Sequence, residues 1–371
     1  MRTRITEMFG IELPIFAFSH CRDVVAGVSK AGGMGVLGCA YQTPEQLAQE
    51  LRWIDEHVDG RPYGIDLLLP SGYERSAPPK LTRADIPRVQ ADYMRRFCDA
   101  AGLPPLPADE AEAMIDRELA KLHFTPEQAG ELLDVALRHP VRLVVSALGA
   151  PSKELVERLH GLGIKVGSMV GKVEHALRQR AAGVDLIIAQ GGEAGGHSGQ
   201  IASMILWPQV VDAVAPLPVL AAGGIGRGRQ MAAALTLGAE GIWCGSLWLS
   251  TRESELIPEL KERFFAARAE DAVQSRSRTG KPVRMLRSKL TEAWEAPDAP
   301  TFLPMPLQTA AMIESRLRAE RARAKDFLTY PVGQIVGDMH EERSCRQVIY
   351  DILTELVEAA ERLNGLVGSA A

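Results

Sequence analysis

The sequence predicts an α/β chain folded as a (β/α)8 TIM barrel, with a helical insertion after the third strand and C-terminal helical additions after the eighth. Three observations carry this expectation. Eight short apolar runs recur along the 371 residues, and most are followed by a stretch with helix signals. An open doubly wound sheet usually stops at about five to seven strands, so eight such runs favour a closed barrel. Glycine-rich loops also follow the sixth and seventh runs, at the strand ends where a barrel of this kind builds its site.

The elements can be taken in order. The first strand spans 13–18 around Pro14, and a helix over 22–30 stops at Gly32 and Gly33. Residues 35–40 form the second strand. Thr43, Pro44 and Gln46 make the capping-box pattern that starts an amphipathic helix running to Asp59. The third strand covers 63–69. From 70 to 140 the rhythm breaks into polar, Pro-rich and Ala-rich sequence, with helical stretches at 92–101, 109–122 and 125–138. This reads as an insertion with a helical cover, not as a barrel unit. Alternation resumes with a strand at 142–148 and a helix from Pro151 to His160, then a strand at 165–169 and a helix at 174–182. Leu186–Gln190 is the sixth strand, with a helix at 208–214. The seventh (218–222) leads to a helix at 227–237, and the eighth covers 241–249. Beyond it helices are expected at 253–269, 310–325 and 344–363, separated by a basic linker (275–289) and a Pro-rich passage (296–306). The expected domains are a barrel made of 1–70 and 140–251, an insertion of 71–139, and an extension of 252–371 packed on the barrel. Both additions should cover the barrel mouth, where functional insertions in this fold collect.

A formal charge of −5, with no segment rich enough in Lys and Arg to act as an arm, argues against nucleic acid and for a small-molecule partner. Residues 1–7 lack the apolar core of a secretory signal, and no run approaches the roughly 18 apolar residues of a membrane span. The five cysteines are odd in number and form no Cys-x-x-Cys pair, against both a disulfide framework and a zinc site. No metal is expected, the cytoplasm is the default compartment, and a homodimer is compatible with the sequence.

The stretch LIIAQGGEAGGHSG (186–199) runs from the sixth strand into a loop of five glycines that carries one carboxylate, Glu193, and one imidazole, His197. Such a loop brings backbone close to a ligand, although a lone His among glycines can also be merely solvated. A second cluster, AAGGIGRG (221–228), follows the seventh strand and opens a helix, so its amides and the helix dipole suit a dianion. Its G-x-G-x-G spacing is by itself a weak signal, readable as a tight turn; its place in the barrel favours a phosphate. Gly245 and Ser246 on the eighth strand add a close backbone approach and a hydroxyl. Together the clusters suggest a phosphate-bearing cofactor across the mouth with His197 at its reactive end, and flavin mononucleotide (FMN) has the right size.

The segments AGGMGVLG (31–38), AQGGEAGGHSG (189–199), AAGGIGRG and GAEGIWCGS (238–246) resemble the signature segments of the nitronate monooxygenase family, formerly called 2-nitropropane dioxygenases. The resemblance covers about residues 5–251 apart from the insertion, and GKPVRMLRSK (280–289) is similar to the group as well. It implies FMN in a TIM barrel, with His197 as catalytic base or substrate-orienting residue. It carries Gln190, Gly195 and Gly196 over as flavin contacts, Gly223 and Gly224 as phosphate ligands, and Cys244, Gly245 and Ser246, following Trp243, as the other wall. Ala17, Phe18, Asp66, Ser146 and Lys172 complete the expected cofactor contacts. Where the family commonly has Gln-Ala-Pro-Met after the first strand, this chain has Phe16, Ala17, Phe18, Ser19 and His20. Asp66 replaces a common Asn; an anionic carboxylate beside a reduced flavin is unfavourable, so Asp66 either stays protonated or uses a donor such as Lys172.

Other candidates have plainer alternatives. Cys244 reads as a nucleophile or as a buried thiol. His20 and Cys21 either reach the pocket or sit on its rim, and Glu193 either caps an amide or meets substrate. Arg276, Arg278 and Lys281 either attract an anionic substrate such as a CoA thioester or are solvated linker charge. Three functions compete. One is an oxygenase acting on nitronates or nitroalkanes with O2. The second is an NAD(P)H-dependent reductase of an enoyl thioester or quinone, and the third is a flavin-free binding protein.

Overall fold

The computed structural model describes residues 1–40, 42–68, 81–122, 125–147 and 149–368. Eight parallel strands close into a barrel in sequential order: β1 (Ile15–Ser19), β2 (Met34–Gly38), β3 (Tyr63–Leu67), β4 (Leu143–Ser146), β5 (Lys165–Val170), β6 (Leu186–Gln190), β7 (Val219–Ala222) and β8 (Gly241–Cys244). Pairing of Phe16 with Trp243 and of Ala17 with Cys244 closes the ring. The eighth strand ends five residues before the expected boundary, because the chain turns at Ser246–Ser250 into a short 3-10 helix. The expected ends of the third and fourth strands, Leu69 and Leu148, and the start of the insertion at Pro70 lie outside the described residues.

Alternation along each strand divides the core into two layers. Phe16, Met34, Leu143, Leu186, Leu220 and Trp243 fill the barrel interior. Ile15, Leu37, Ile65, Val144, Ile187 and Ile242 face outward into the helix layer. The N-terminal helix α1 (Arg4–Phe9), too short to show a period in the sequence, places Ile5 and Phe9 in the interior cluster with Phe16.

The helix layer follows local signals closely at its start. After α2 (Arg22–Lys30), α3 (Pro44–His57) begins at the expected capping box, with the Thr43 hydroxyl accepting from the Gln46 amide and the Gln46 side chain accepting from the Thr43 amide. In the insertion, α4 (Arg88–Ala100) and α5 (Ala111–Ala120) form as cover helices. The next helix, α6 (Pro126–Ala136), corrects the expected boundary. It packs on α3 and β3, with Leu132, Leu133 and Ala136 in the outer barrel core, so it is the third barrel helix and the insertion ends before it. Then come α7 (Lys153–Gly161), α8 (Val173–Ala182), α9 (Ser203–Val214) and α10 (Gly228–Thr236). Pro208 is internal to α9, not its start: the helix begins five residues earlier, at Ser203.

A second correction concerns the C-terminal region. After α11 (Pro258–Ala266), the expected basic linker contains an antiparallel hairpin, β9 (Ala272–Ser275) and β10 (Val283–Leu286), followed by α12 (Lys289–Glu295) and α13 (Leu307–Arg321). The last helix, α14 (Cys345–Val367), packs between α10 and α2, with Val348, Ile349 and Ile352 in the outer core. It therefore supplies the eighth barrel helix, separated from its strand by about a hundred residues rather than appended to a finished barrel. The two insertions share one core: Met94 and Cys98 pack with Trp294, Met312 and Phe327. The buried Arg318 guanidinium donates to the Pro104 carbonyl (2.9 Å) and to Asp99 (2.7 Å). Both insertions leave the barrel from strand C-termini, so they rise on the mouth side.

Candidate functional site

The loop after β6 is held from three directions. Gly191 donates to the Ala222 carbonyl (2.9 Å) and Gly192 to the Ile201 carbonyl (2.8 Å). The Glu193 carboxylate accepts from the Ser203 amide and hydroxyl, so its role is to cap α9, where a negative charge suits the helix N-terminus. From above, Gly196 and Arg284 of β10 exchange backbone hydrogen bonds of 2.9 Å, and Arg284 Nε donates to the Gly192 carbonyl at 3.0 Å. Gly333 donates to Ser246 Oγ (2.8 Å) while Gln334 donates to the Glu193 carbonyl (2.9 Å), stitching the loops after β6 and β8 together. Arg284 and Gly333 were not singled out from the sequence. Their partners lie far away in the chain, and the signal that covered Arg284 was the resemblance of GKPVRMLRSK (280–289) to the family.

The glycines divide by what they face. A Cβ on Gly195 would come within 2.8 Å of the Gly333 nitrogen, and one on Gly223 within 2.8 Å of the Gly191 nitrogen, so both are required by backbone packing. Gly196 opens onto free space, and Gly245 meets only Phe18 at 3.7 Å. Gly223 and Gly224 adopt successive positive φ values of 105° and 68°, and the Gly224 amide donates to no backbone acceptor among the described residues. An open amide on a turn of two positive-φ glycines at this strand end suits an anion.

His197 sits on the exposed rim. Its Nδ1 lies 3.1 Å from the Pro282 carbonyl oxygen, which makes Nδ1 the protonated nitrogen. Nε2 is then an acceptor, with the Thr279 hydroxyl at 3.5 Å as a long, weak partner. Desolvation lowers the imidazole pKa against the opposing pull of the Pro282 carbonyl, and the charges of Lys281 and Arg278 lower it further. The neutral ring carries an available lone pair.

The inner face of the mouth is built from the alternate residues of the strands. Phe18 stacks on Trp243 with centroids 6.2 Å apart, and Trp243 on Phe16 at 6.1 Å, a continuous aromatic wall. Gln190 and Asp66 lie on the same inner face, since Ile65, Leu67 and Ala189 point to the outer core. His20 is a rim residue whose Nδ1 donates to the Gly38 carbonyl at 2.9 Å. Asp66 is 5% exposed, and its Oδ2 has no hydrogen-bond partner. Burial pushes its pKa up to about 8.

Several expected contacts fall elsewhere. Lys172 does not pair with Asp66; its ammonium lies 3.3 Å from Glu174 beyond the end of β5. The Ala17 and Cys244 side chains point into the outer core, away from the mouth. Burial pushes the Cys244 thiol up to about 12, which removes the nucleophile reading. Ser146 lies on the outward side of β4, its hydroxyl donating to the Gly149 carbonyl at 3.1 Å. Arg276 is committed to the cap, donating to the Gly280 carbonyl at 2.8 Å and lying over the Phe302 ring. Arg278 acts electrostatically on both His20 and His197, which places its charge at the mouth. Cys21, Asp23 and Glu255 bring three donor atoms within 4.8 Å of one another near the rim, a grouping that chain spacing did not reveal.

The open glycine turn after β7, the aromatic wall and the unpartnered Asp66 oxygen suit a planar heterocycle carrying a phosphate, and the residues present fit a flavin. Comparisons with known proteins agree. A Mycobacterium tuberculosis protein, named provisionally as a monooxygenase, is 48% identical over 381 residues, covering 99% of this chain and all of that protein. A Staphylococcus saprophyticus chain, named provisionally as a nitronate monooxygenase, is 31% identical across 81% of this chain and 84% of its own length. Among solved structures, a nitroalkane oxidase from Streptomyces ansochromogenes superposes with a TM-score of 0.77 at 27% identity, covering 97% of this chain and 99% of its own. FabK from Thermotoga maritima does so with 0.74 at 27%, covering 99% and 100%. Among the described residues no helix is long and apolar enough to cross a membrane. Residues 2–355 match the nitronate monooxygenase family model, and with the barrel, the glycine loops and the rim histidine in place, this chain belongs to that family of flavin-dependent oxidoreductases.

Proposed function

We propose that the protein is an FMN-dependent nitronate monooxygenase that oxidises nitronates or nitroalkanes with O2. His197 carries this reading: a neutral imidazole on the rim, fixed in one tautomer by the Pro282 carbonyl, with Nε2 able to accept a proton. It would take the acidic C–H proton of a neutral nitroalkane, or hold a nitronate formed in solution. The Gly223 and Gly224 amides would hold the phosphate, and Phe18, Gln190 and Trp243 would support the ring. FMN, when bound, supplies electron transfer and reaction with oxygen. The cap hairpin fixes the His197 loop through Arg284 and Pro282.

A second reading, an NAD(P)H-dependent reductase of an enoyl thioester or quinone, is favoured by the charges of Arg278 and Lys281 beside His197, which suit an anionic substrate. Anaerobic mixing of the purified yellow protein with a nitronate, NADH and NADPH in turn distinguishes the two. Faster bleaching of the flavin band by propyl nitronate than by either nicotinamide is the expected result. Rapid bleaching by NADPH with no response to nitronate moves the assignment to the reductase. Colourless protein that takes up no FMN ends both.

A further inference from the structure

We propose that Asp66 is held as a neutral, proton-bearing carboxyl group that donates its hydrogen to the flavin ring, so that the cofactor binds the protonated protein. The inference rests on the flavin reading and adds to it a proton condition for binding.

Asp66 is the penultimate residue of β3, in register with Gly38 of β2 and Val145 of β4. Its neighbours in the strand, Ile65 and Leu67, are in the outer core, so its side chain faces the barrel mouth. Gly38 brings no side chain towards it, and Val145 brings no polar atom. The carboxyl group is 5% exposed, and Oδ2 is left without a partner among the described residues. An ion in that position would lack both water and a counter-charge, whereas a neutral acid needs only one acceptor. A buried polar atom aimed into a mouth is complete when a ligand supplies that acceptor, and a flavin ring offers several on one edge.

The groups packed around Asp66 leave it as the one that titrates near pH 8. Cys39, following β2, donates its thiol to the Leu37 carbonyl (3.2 Å), and burial, then the Asp66 charge, raise its pKa well above the usual thiol value. His20, against Gly38, is lowered by desolvation and by Arg278, so it is neutral throughout this range. Phe18 of β1 and Val145 of β4 carry no charge. Burial alone accounts for the raised value at Asp66.

The test is the affinity of apoprotein for FMN as a function of pH, followed by quenching of flavin fluorescence. If only the protonated form binds, the apparent Kd should weaken about tenfold between pH 7 and pH 9, following the protonated fraction. Asp66→Asn keeps a donor without a titratable proton, so it should bind at pH 7 with similar affinity and lose the dependence; Asp66→Leu should bind weakly at both. Infrared spectra of wild-type protein carrying carbon-13-labelled aspartate provide a check that needs no variant. A protonated carboxyl band should be present at pH 7 and fade near pH 8. A flat wild-type profile, an Asp66→Asn profile as steep as wild type, or no such band at pH 7 overturns the inference while leaving the flavin assignment standing. Protein that binds no FMN at any pH overturns both.

Discussion

The Glu193 carboxylate accepts the Ser203 amide at 3.0 Å and the Ser203 hydroxyl at 2.7 Å, and the same hydroxyl lies 3.0 Å from the Gly223 carbonyl oxygen. One side-chain pair thus fixes the loop after β6 against the first turn of α9 and against the loop after β7. The two glycine clusters, about thirty residues apart in the chain, become one surface through it.

Glu193→Ala should therefore cost about 1–3 kcal/mol, the usual penalty for leaving a partly buried amide and hydroxyl without their charged acceptor. Urea unfolding monitored by circular dichroism measures it, and FMN retention should fall in parallel. A change below about 0.5 kcal/mol would reduce this contact to an incidental one.

His197→Ala should retain FMN and lose about 10² to 10⁴ in turnover of neutral nitroalkanes, the usual worth of a general base. Preformed nitronate, which has no proton to lose, should suffer less. Equal losses on the two substrates would show that His197 orients substrate and does not remove a proton.

Gly224→Asp should give folded protein without flavin. The position has φ 68°, and a carboxylate there would repel a phosphate from the glycine turn. Full FMN content in the purified variant would place the phosphate elsewhere.

For neutral nitroalkanes, kcat/KM should rise with pH and level off through a midpoint below 6.5, because desolvation lowers the His197 pKa from that ordinary value and the unprotonated ring is the active form. The sign follows from the base: below the midpoint Nε2 holds a proton and accepts none. An acid limb that persists unchanged in His197→Asn would assign it to another group.

Gly228→Ala should destabilise the protein by about 1–3 kcal/mol, the range for overpacking a closed interface. The new methyl would overlap the Ile352 carbonyl and the Leu356 amide of α14. Unfolding in guanidinium measures the change, and stability equal to wild type would mean that α14 shifts freely on the barrel.

How much of this was legible in the sequence varies with the range of the forces involved. Strand positions, α2, the capping box of α3 and the glycine loops follow from neighbours within a few residues, where hydrogen-bond geometry and hydrophobic period act directly. Helices α6 and α14 have equally clear local signals, yet their place in the barrel wall was misread. The sequence shows that a helix has an apolar face but not which surface that face meets; α6 meets α3, and α14 meets α10 and α2.

The site divides in the same way. Sequence by itself determined that His197 lies in a glycine loop after a buried strand and that a second such loop follows the next strand. Only the tertiary structure decided that Pro282, 85 residues away, fixes the His197 tautomer, and that Cys244 turns outward while Asp66 turns inward with an unpartnered oxygen. The physical reason is that protonation states and side-chain access depend on burial and on partners brought together by barrel closure and the cap, and neither is set by residues adjacent in the chain.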